Sequence, residues 1–242
     1  MANNETEVRQ RVREILAGGA NFIKVIGTGA VLAAGTSPGA MEFTESEIHA
    51  AVTEAAKHGT YVAVHAHGTE GVKAAIRAGA RSIEHASMMD DEGVALMKKY
   101  GTYLSADIYN GDYISEVGRR DGWPEEVLRK NDETTETQRV AFRKAAAAGV
   151  KIVFGTDAGV YPHGQNANQF PYMVKYGLTP MQAIQAATIN AAQLIGWEKD
   201  LGSIKTGKYA DLIAVQGDPL AHIELLKNVN GVMKGGVVVK SP

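Results

Sequence analysis

Cysteine is absent from the sequence. That one absence removes disulfide frameworks, all-thiolate zinc sites, iron–sulfur clusters and cysteine nucleophiles together. Long apolar runs are missing too: no stretch approaches the roughly 20 apolar residues of a membrane span, and the segment from Met1 to Arg13 is polar, with no signal-like apolar core. No basic block stands out. Lys and Arg total 25 against 27 Asp and Glu, a formal net charge of −2, so nothing in the chain would neutralise a run of phosphates. The expectation is a protein without nucleic-acid or membrane partners, cytoplasmic as the chain stands. What is present suits a packed core: 45% of the 242 residues are hydrophobic and 21% charged.

One pattern returns five times: the end of an amphipathic helix, a glycine, one or two linking residues, then a short apolar run. The copies are AGGANFIKVIGTG at Gly19, KHGTYVAVHAHG at Gly59, RAGARSIEHAS at Gly79, KYGTYLSADIYNG at Gly101 and AAGVKIVFGTDAG at Gly149. Each glycine stands where a helix takes a left-handed residue after its last turn. Each apolar run has the length and β-branched content of a buried strand. Thr44-Glu45-Ser46-Glu47 is a capping box, and Thr179-Pro180-Met181-Gln182 adds proline at the first helical position, with Gly59 and Gly196 as the corresponding stops. Strands alternating with helices imply a parallel sheet, hence an α/β fold.

Two stretches break the pattern. The polar segment between Tyr109 and Thr137 is too long for an ordinary βα loop and is expected to be a lid or substrate loop. After Gly196, DLIAVQG and GVMKGGVVVK read as strands, with Gly235-Gly236 as a two-residue hairpin turn. The expected division is an α/β domain over 1–196 and a small β appendage over 197–242.

The chemistry gathers at the carboxyl ends of the strands. Lys24 stands in FIKVIGTG, His65 and His67 in VAVHAHG, His85 in SIEHAS, Asp107 and Tyr109 in SADIYNG, and Asp157 in VFGTDAG. In parallel α/β folds, ligands and catalytic groups collect at that end. Any one of these residues has a structural explanation: a lone histidine can be a hydrogen-bonded core residue, and an aspartate in GTDAG can cap a turn. Their recurrence on consecutive strand ends favours a functional rim. Lys24, read as buried within an apolar strand, needs a partner, neutralisation or modification. Imidazoles with a carboxylate and no thiolate suit an open site for zinc or another divalent ion, with Asp157 as the base. An ammonium cannot coordinate a cation, so Lys24 fits such a site only if neutral or carboxylated. The glycines of GTGAVLAAG form no phosphate-binding motif and read as loop flexibility near the site.

These motifs, together with the tail TINAAQLIGWEKDLGSIKTGKYADLIAVQGDP, resemble the amidohydrolase superfamily. The similarity is greatest to its prolidase-like and arginine carboxypeptidase-like branch, which includes ochratoxin-hydrolysing amidohydrolases. The resemblance runs from about Glu7 to Lys240. It implies a (β/α)8 barrel with a binuclear metal centre, usually zinc, in which a carboxylated Lys24 bridges two ions. His65 and His85 would bind one ion; Asp157 would bind the other and act as general base. His67 would contact the substrate carbonyl or tetrahedral oxygen. Tyr109 and His163 would hold a substrate carboxylate. The implied substrate is a small peptide or N-acyl amino acid, cleaved at the amide bond next to a C-terminal residue.

The family pattern is incomplete in one respect. Its members open with an HxH pair on the first barrel strand, and none precedes Lys24; His65-Ala66-His67 follows the lysine strand and carries the fifth-strand motif. The chain is therefore expected to supply strands four to eight of the barrel, with a homo-oligomer neighbour or a completing N-terminal segment supplying the rest, and a signal peptide could have been lost with the missing part. Two alternatives stay open: a non-catalytic truncated or assembly subunit, and a Schiff-base lyase using Lys24 as nucleophile.

Overall fold

A computed structural model describes residues 2–241, which fall into two compact units. One runs to Ala106 and includes Gly111–Lys151; the other comprises Asp107–Asn110 and the chain from Ile152 onward.

The first unit contains helix α1 (Glu5–Ala17), strand β1 (Ile23–Ile26), α2 (Glu45–Lys57), β2 (Val62–Ala66), α3 (Thr69–Arg77), β3 (Ser82–His85), α4 (Asp91–Tyr100) and β4 (Tyr103–Ala106). Both halves of the expected capping box form at the start of α2: the Thr44 N–H donates to Glu47 Oε2 at 2.8 Å, and the Glu47 N–H donates to Thr44 Oγ1 at 3.3 Å. The five joint glycines all take positive φ, between 70° and 94°, the conformation that lets a helix end within one residue and turn into the next strand. Strands β1 to β4 are parallel and lie in chain order, each beside its successor. That one-directional winding, without the order reversal of a doubly wound sheet, is the pattern of a (β/α) barrel. The helices cover one face of it through residues such as Ile48, Ala51, Val72 and Ile76, all fully buried.

The segment expected as a lid is helical instead. A short helix α5 (Asn110–Tyr113) runs through a π-helical turn (Ile114–Gly118) into α6 (Arg119–Asp121), and α7 then spans Glu125–Ala148. The polarity that suggested a loop belongs to the packed face of α7, where Lys130, Asn131, Thr134, Gln138 and Arg139 are buried. Partners for these groups lie within the unit: Asn131 Nδ2 donates to the Gly111 carbonyl at 2.9 Å, and Arg139 pairs with Asp112 at 2.6 Å. A polar buried stripe hides the apolar period by which a helix is read.

The second unit carries strand β5 (Ile152–Phe154), helices α8 (Gln169–Lys175), α9 (Pro180–Ala187) and α10 (Ile189–Ile195), and an antiparallel sheet of β6 (Leu212–Ala214), β7 (Gly231–Lys234) and β8 (Val237–Lys240). The expected single helix from Pro180 to Gly196 is broken at Thr188, whose φ and ψ are −123° and −92°. Gly202 packs against the break: a Cβ there would lie 2.9 Å from the Thr188 carbonyl oxygen and 2.8 Å from Ala192 Cβ, so the following segment lies directly against the joint. Asn190 then donates to the Ile152 carbonyl at 2.9 Å. The Gly235-Gly236 hairpin forms as expected, with Lys234 opposite Val237 and both glycines at positive φ, the requirement of a type I′ turn.

Candidate functional site

Register places the histidines before any side-chain chemistry is considered. Ile26 pairs with His65, His65 with Glu84, and Ala66 with His85, so His85 stands beside the residue between His65 and His67. All three imidazoles are buried, and their ring centroids are 4.5 to 4.7 Å apart. One nitrogen from each ring lies within 4.8 Å of the others. At that spacing nitrogen donors of the cluster can be shared by one cation.

The backbone is strained where the cluster is assembled. His85 and Ala86 take φ of 71° and 48° in succession, a conformation that non-glycine residues rarely adopt. The turn is held from two sides: the Ala86 N–H donates to the Ala66 carbonyl at 3.0 Å, and Gln138 Nε2 reaches the His85 carbonyl at 3.4 Å. The rings have their own partners. His67 Nδ1 lies 2.8 Å from Ser87 Oγ and His65 Nε2 lies 3.4 Å from the Gly29 carbonyl, while the His67 backbone N–H donates to Thr28 Oγ1 at 2.9 Å.

Lys24 differs from its expectation as a buried lysine. Ile23 and Val25 point into the helix-covered side of β1, and Lys24 and Ile26 are exposed on the other. The pleat explains this, since alternate side chains of a strand face opposite ways. Lys24 shares that face with Ile26, whose register partner is His65, so the lysine follows the histidine strand one pleat behind. Among the described residues, no hydrogen bond or ion pair engages its ammonium. The glycines of GTGAVLAAG are likewise not hinges. A Cβ on Gly29 would lie 2.2 Å from the Ser37 carbonyl oxygen, and one on Gly27 would lie 2.8 Å from a Val64 methyl. They permit close backbone approach, which sets the loop's path.

The remaining candidates lie in the second unit. Asp157 is exposed and takes φ of 48°, tolerable for aspartate because its short polar side chain can bond locally. Its carboxylate comes within 4.8 Å of that of Asp107, which is buried and accepts from Asn110 Nδ2 at 2.7 Å. Tyr109 is half-buried, its N–H donating to Gln169 Oε1 at 3.0 Å and its ring meeting Tyr161 and Tyr172 edge-on at 5.1 and 5.3 Å. His163 is exposed, and among the described residues no hydrogen bond or ring contact joins it to Tyr109 or the aspartates. Asp107 was visible in the sequence without a role; Asn110, three residues on, was the signal that its carboxylate is held. Ser87, two residues after His85, and Thr28 carried no pattern of their own.

Tyr161 is a further residue that the motifs did not point to. It is buried at 2% exposure, and burial pushes its hydroxyl up to about 12, with the Thr156 hydroxyl acting in the opposite direction. It is therefore a neutral phenol at any working pH. Because the folded state holds this proton above the ordinary tyrosine range, stability present below pH 10 is lost as pH rises toward 12. Urea midpoints measured at pH 9 and 11 are expected to fall less in Tyr161→Phe than in the parent; an unchanged difference would remove this assignment.

The model of the amidohydrolase family matches residues 1–239. Ochratoxinase of Aspergillus niger is 35% identical over 248 aligned residues, which cover 100% of this chain and 51% of the relative. A solved Xaa-Pro dipeptidase with bound methionine in its active site superposes with a TM-score of 0.94 at 44% identity, over 99% of this chain and 59% of that one. A prolidase complexed with N-methylphosphonate-L-proline gives a TM-score of 0.93 at 30% identity, over 100% of this chain and 60% of the other. The chain thus spans about half the length of the curated relatives it matches. A match over nearly every residue, joined to parallel strands that carry histidines at their carboxyl ends, leads to one conclusion: the chain belongs to the amidohydrolase family.

Proposed function

We propose that this chain carries the catalytic half of a metal-dependent amidohydrolase that cleaves the amide bond of a small peptide or N-acyl amino acid next to its C-terminal residue. The observation that supports the reading most strongly is the cluster of three buried imidazoles with mutually facing nitrogens. The donor set fits a divalent cation such as zinc: neutral nitrogen donors, two aspartates elsewhere in the chain, and no thiolate. His65, His85 and Asp157 would hold the cation, and Lys24, once carboxylated, would add an anionic oxygen donor as the bridging ligand of the proposal. Its exposure leaves the amine open to carbon dioxide, and carboxylation turns an ammonium that repels cations into an anionic oxygen donor. A divalent cation held there supplies Lewis-acid activation of water and of the amide carbonyl.

The remaining steps belong to the chain. Asp157 takes the proton of the attacking water on a carboxylate oxygen and returns it to the leaving nitrogen. With the Ser87 hydroxyl, 2.8 Å from His67 Nδ1, as the donor, the ring would carry its proton on Nε2 and donate it to the oxygen on which charge develops. Tyr109 and His163 hold the substrate carboxylate. On this reading residues 1–196 form the amidohydrolase domain and 197–242 the β appendage. The HxH ligands come from a further segment or a neighbouring copy in the active assembly.

The test is hydrolysis of a panel of Xaa-Pro dipeptides and N-acyl amino acids, with and without a chelator. Chelator-sensitive cleavage supports the proposal, and chelator-resistant cleavage defeats it. Ser87→Ala is expected to lower kcat about 10- to 100-fold in the active assembly, the size typical of losing a residue that orients a site imidazole. KM should change little, because the developing oxyanion exists only in the transition state. A raised KM with kcat intact would place Ser87 in substrate binding instead.

A further inference from the structure

Lys130 is one of the most deeply buried side chains of the protein, 2% exposed, although a lysine is seldom buried without strong partners. It has two. Its Nζ pairs with Glu126 at 2.5 Å, one turn earlier on α7, and donates to the Ala33 carbonyl at 2.8 Å. Glu126 Oε1 in turn accepts the Gly35 N–H at 3.0 Å. One helix thus grips two backbone groups, 33 and 35, at the tip of the loop that follows Lys24. The tip residues Leu32 to Gly35 are exposed, so apolar burial does not fix them. Lys130 beside it and the Gly35 N–H hold the Glu126 carboxyl below the usual range, which keeps the latch ionised.

The grip passes inward through hydrogen bonds. Thr36 Oγ1 lies 3.1 Å from the Ala33 carbonyl and 3.1 Å from the Ala30 carbonyl, and the Ala30 N–H donates to it at 3.2 Å. The Gly29 N–H donates to the Ala40 carbonyl at 3.0 Å, with Ser37 so close that no side chain fits at position 29. At the root of the loop, the Gly29 carbonyl faces His65 Nε2, and Thr28 Oγ1 accepts the His67 backbone N–H, which fixes the main chain from which that ring projects. We propose that Lys130, with Glu126, is a positioning residue: it sets the β1–α2 loop and, through Thr28 and Gly29, the orientation of the His65 and His67 rings. This rests on the reading of those histidines as the metal-binding and oxyanion-facing groups. It adds a determinant 63 positions beyond His67 in the chain, on the helix whose Gln138 also reaches the His85 carbonyl.

The test uses Lys130→Met, which keeps the stem and removes the charge, and the milder Glu126→Gln, at an exposed carboxylate, for the event that the first does not fold. Three readouts are taken on the 242-residue chain: amide hydrogen exchange at Gly29, Gly35 and Ala40; the ring nitrogen signals of His65 and His67 in the metal-free chain; and zinc affinity by competition with a chromophoric chelator. The expected result is exchange at least about tenfold faster in the loop with β2 and β3 unaffected, shifted ring signals, and zinc affinity lowered about 10- to 100-fold. Faster loop exchange with unmoved ring signals overturns the inference, because the loop would then be held without orienting the histidines. Unchanged exchange in both variants overturns it as well. A parent chain that takes up no zinc counts against the amidohydrolase reading, and the ring signals of the metal-free chain still decide the role of Lys130.

Discussion

Replacing Asp157 with asparagine lowers kcat for amide hydrolysis by about 10²- to 10⁴-fold in the active assembly, the range expected when a general base is lost. The substitution is chosen from the backbone. Position 157 sits at φ of 48°, a conformation that asparagine tolerates about as well as aspartate, so the fold is kept while the proton acceptor and the anionic donor are removed. Asp157 is also exposed, and no core packing depends on it. Thermal unfolding should be unchanged within error. A variant that keeps half or more of the parent kcat would remove Asp157 from the chemistry and shift attention to Asp107, the buried carboxylate within 4.8 Å of it.

The second large effect concerns Lys24. Lys24→Ala removes the proposed anionic bridge and is expected to lower activity about 10²-fold or more, equivalent to about 3 kcal/mol of transition-state stabilisation. Two further results separate carboxylation from simple charge. Activity of the parent should fall when carbon dioxide and bicarbonate are stripped during metal loading, and a short carboxylic acid such as propionate should partly restore the alanine variant. If instead Lys24→Arg retains activity, a fixed positive charge suffices and the bridging role is wrong. Borohydride trapping of a carbonyl substrate on Lys24 would point to imine chemistry.

Much of this layout was legible in the residues, and the exceptions have physical causes. The helix–glycine–strand joints were readable because a left-handed glycine and a β-branched run are both local signals, and all five formed. The His65, His67 and His85 cluster was foreshadowed by motif position, but its compactness depends on the register of β2 against β3, which puts Ala66 beside His85. Nothing local encodes that register. The region after Tyr109 differs from its reading as a loop because α7 buries lysine, asparagine, glutamine and arginine against polar partners, including the loop after β1; these interrupt the apolar positions between Leu128 and Ala141. The exposure of Lys24 was hidden for a similar reason: an apolar strand around a lysine suggests a buried core, whereas burial in β1 alternates and Lys24 falls on the exposed side. The glycines of the same loop looked permissive and prove restrictive, since a close approach such as Gly29 to Ser37 appears only once the loop is folded.

The central claim, that the strand-end histidines form a metal site, is tested most directly by metal stoichiometry. The parent chain and the His65→Ala, His85→Ala double variant are dialysed against zinc, washed and analysed by mass spectrometry of the released metal. The site described here retains at least one ion per parent chain and loses it in the double variant, with both proteins folded. A parent chain that retains no metal, or a double variant that retains as much as the parent, contradicts the account.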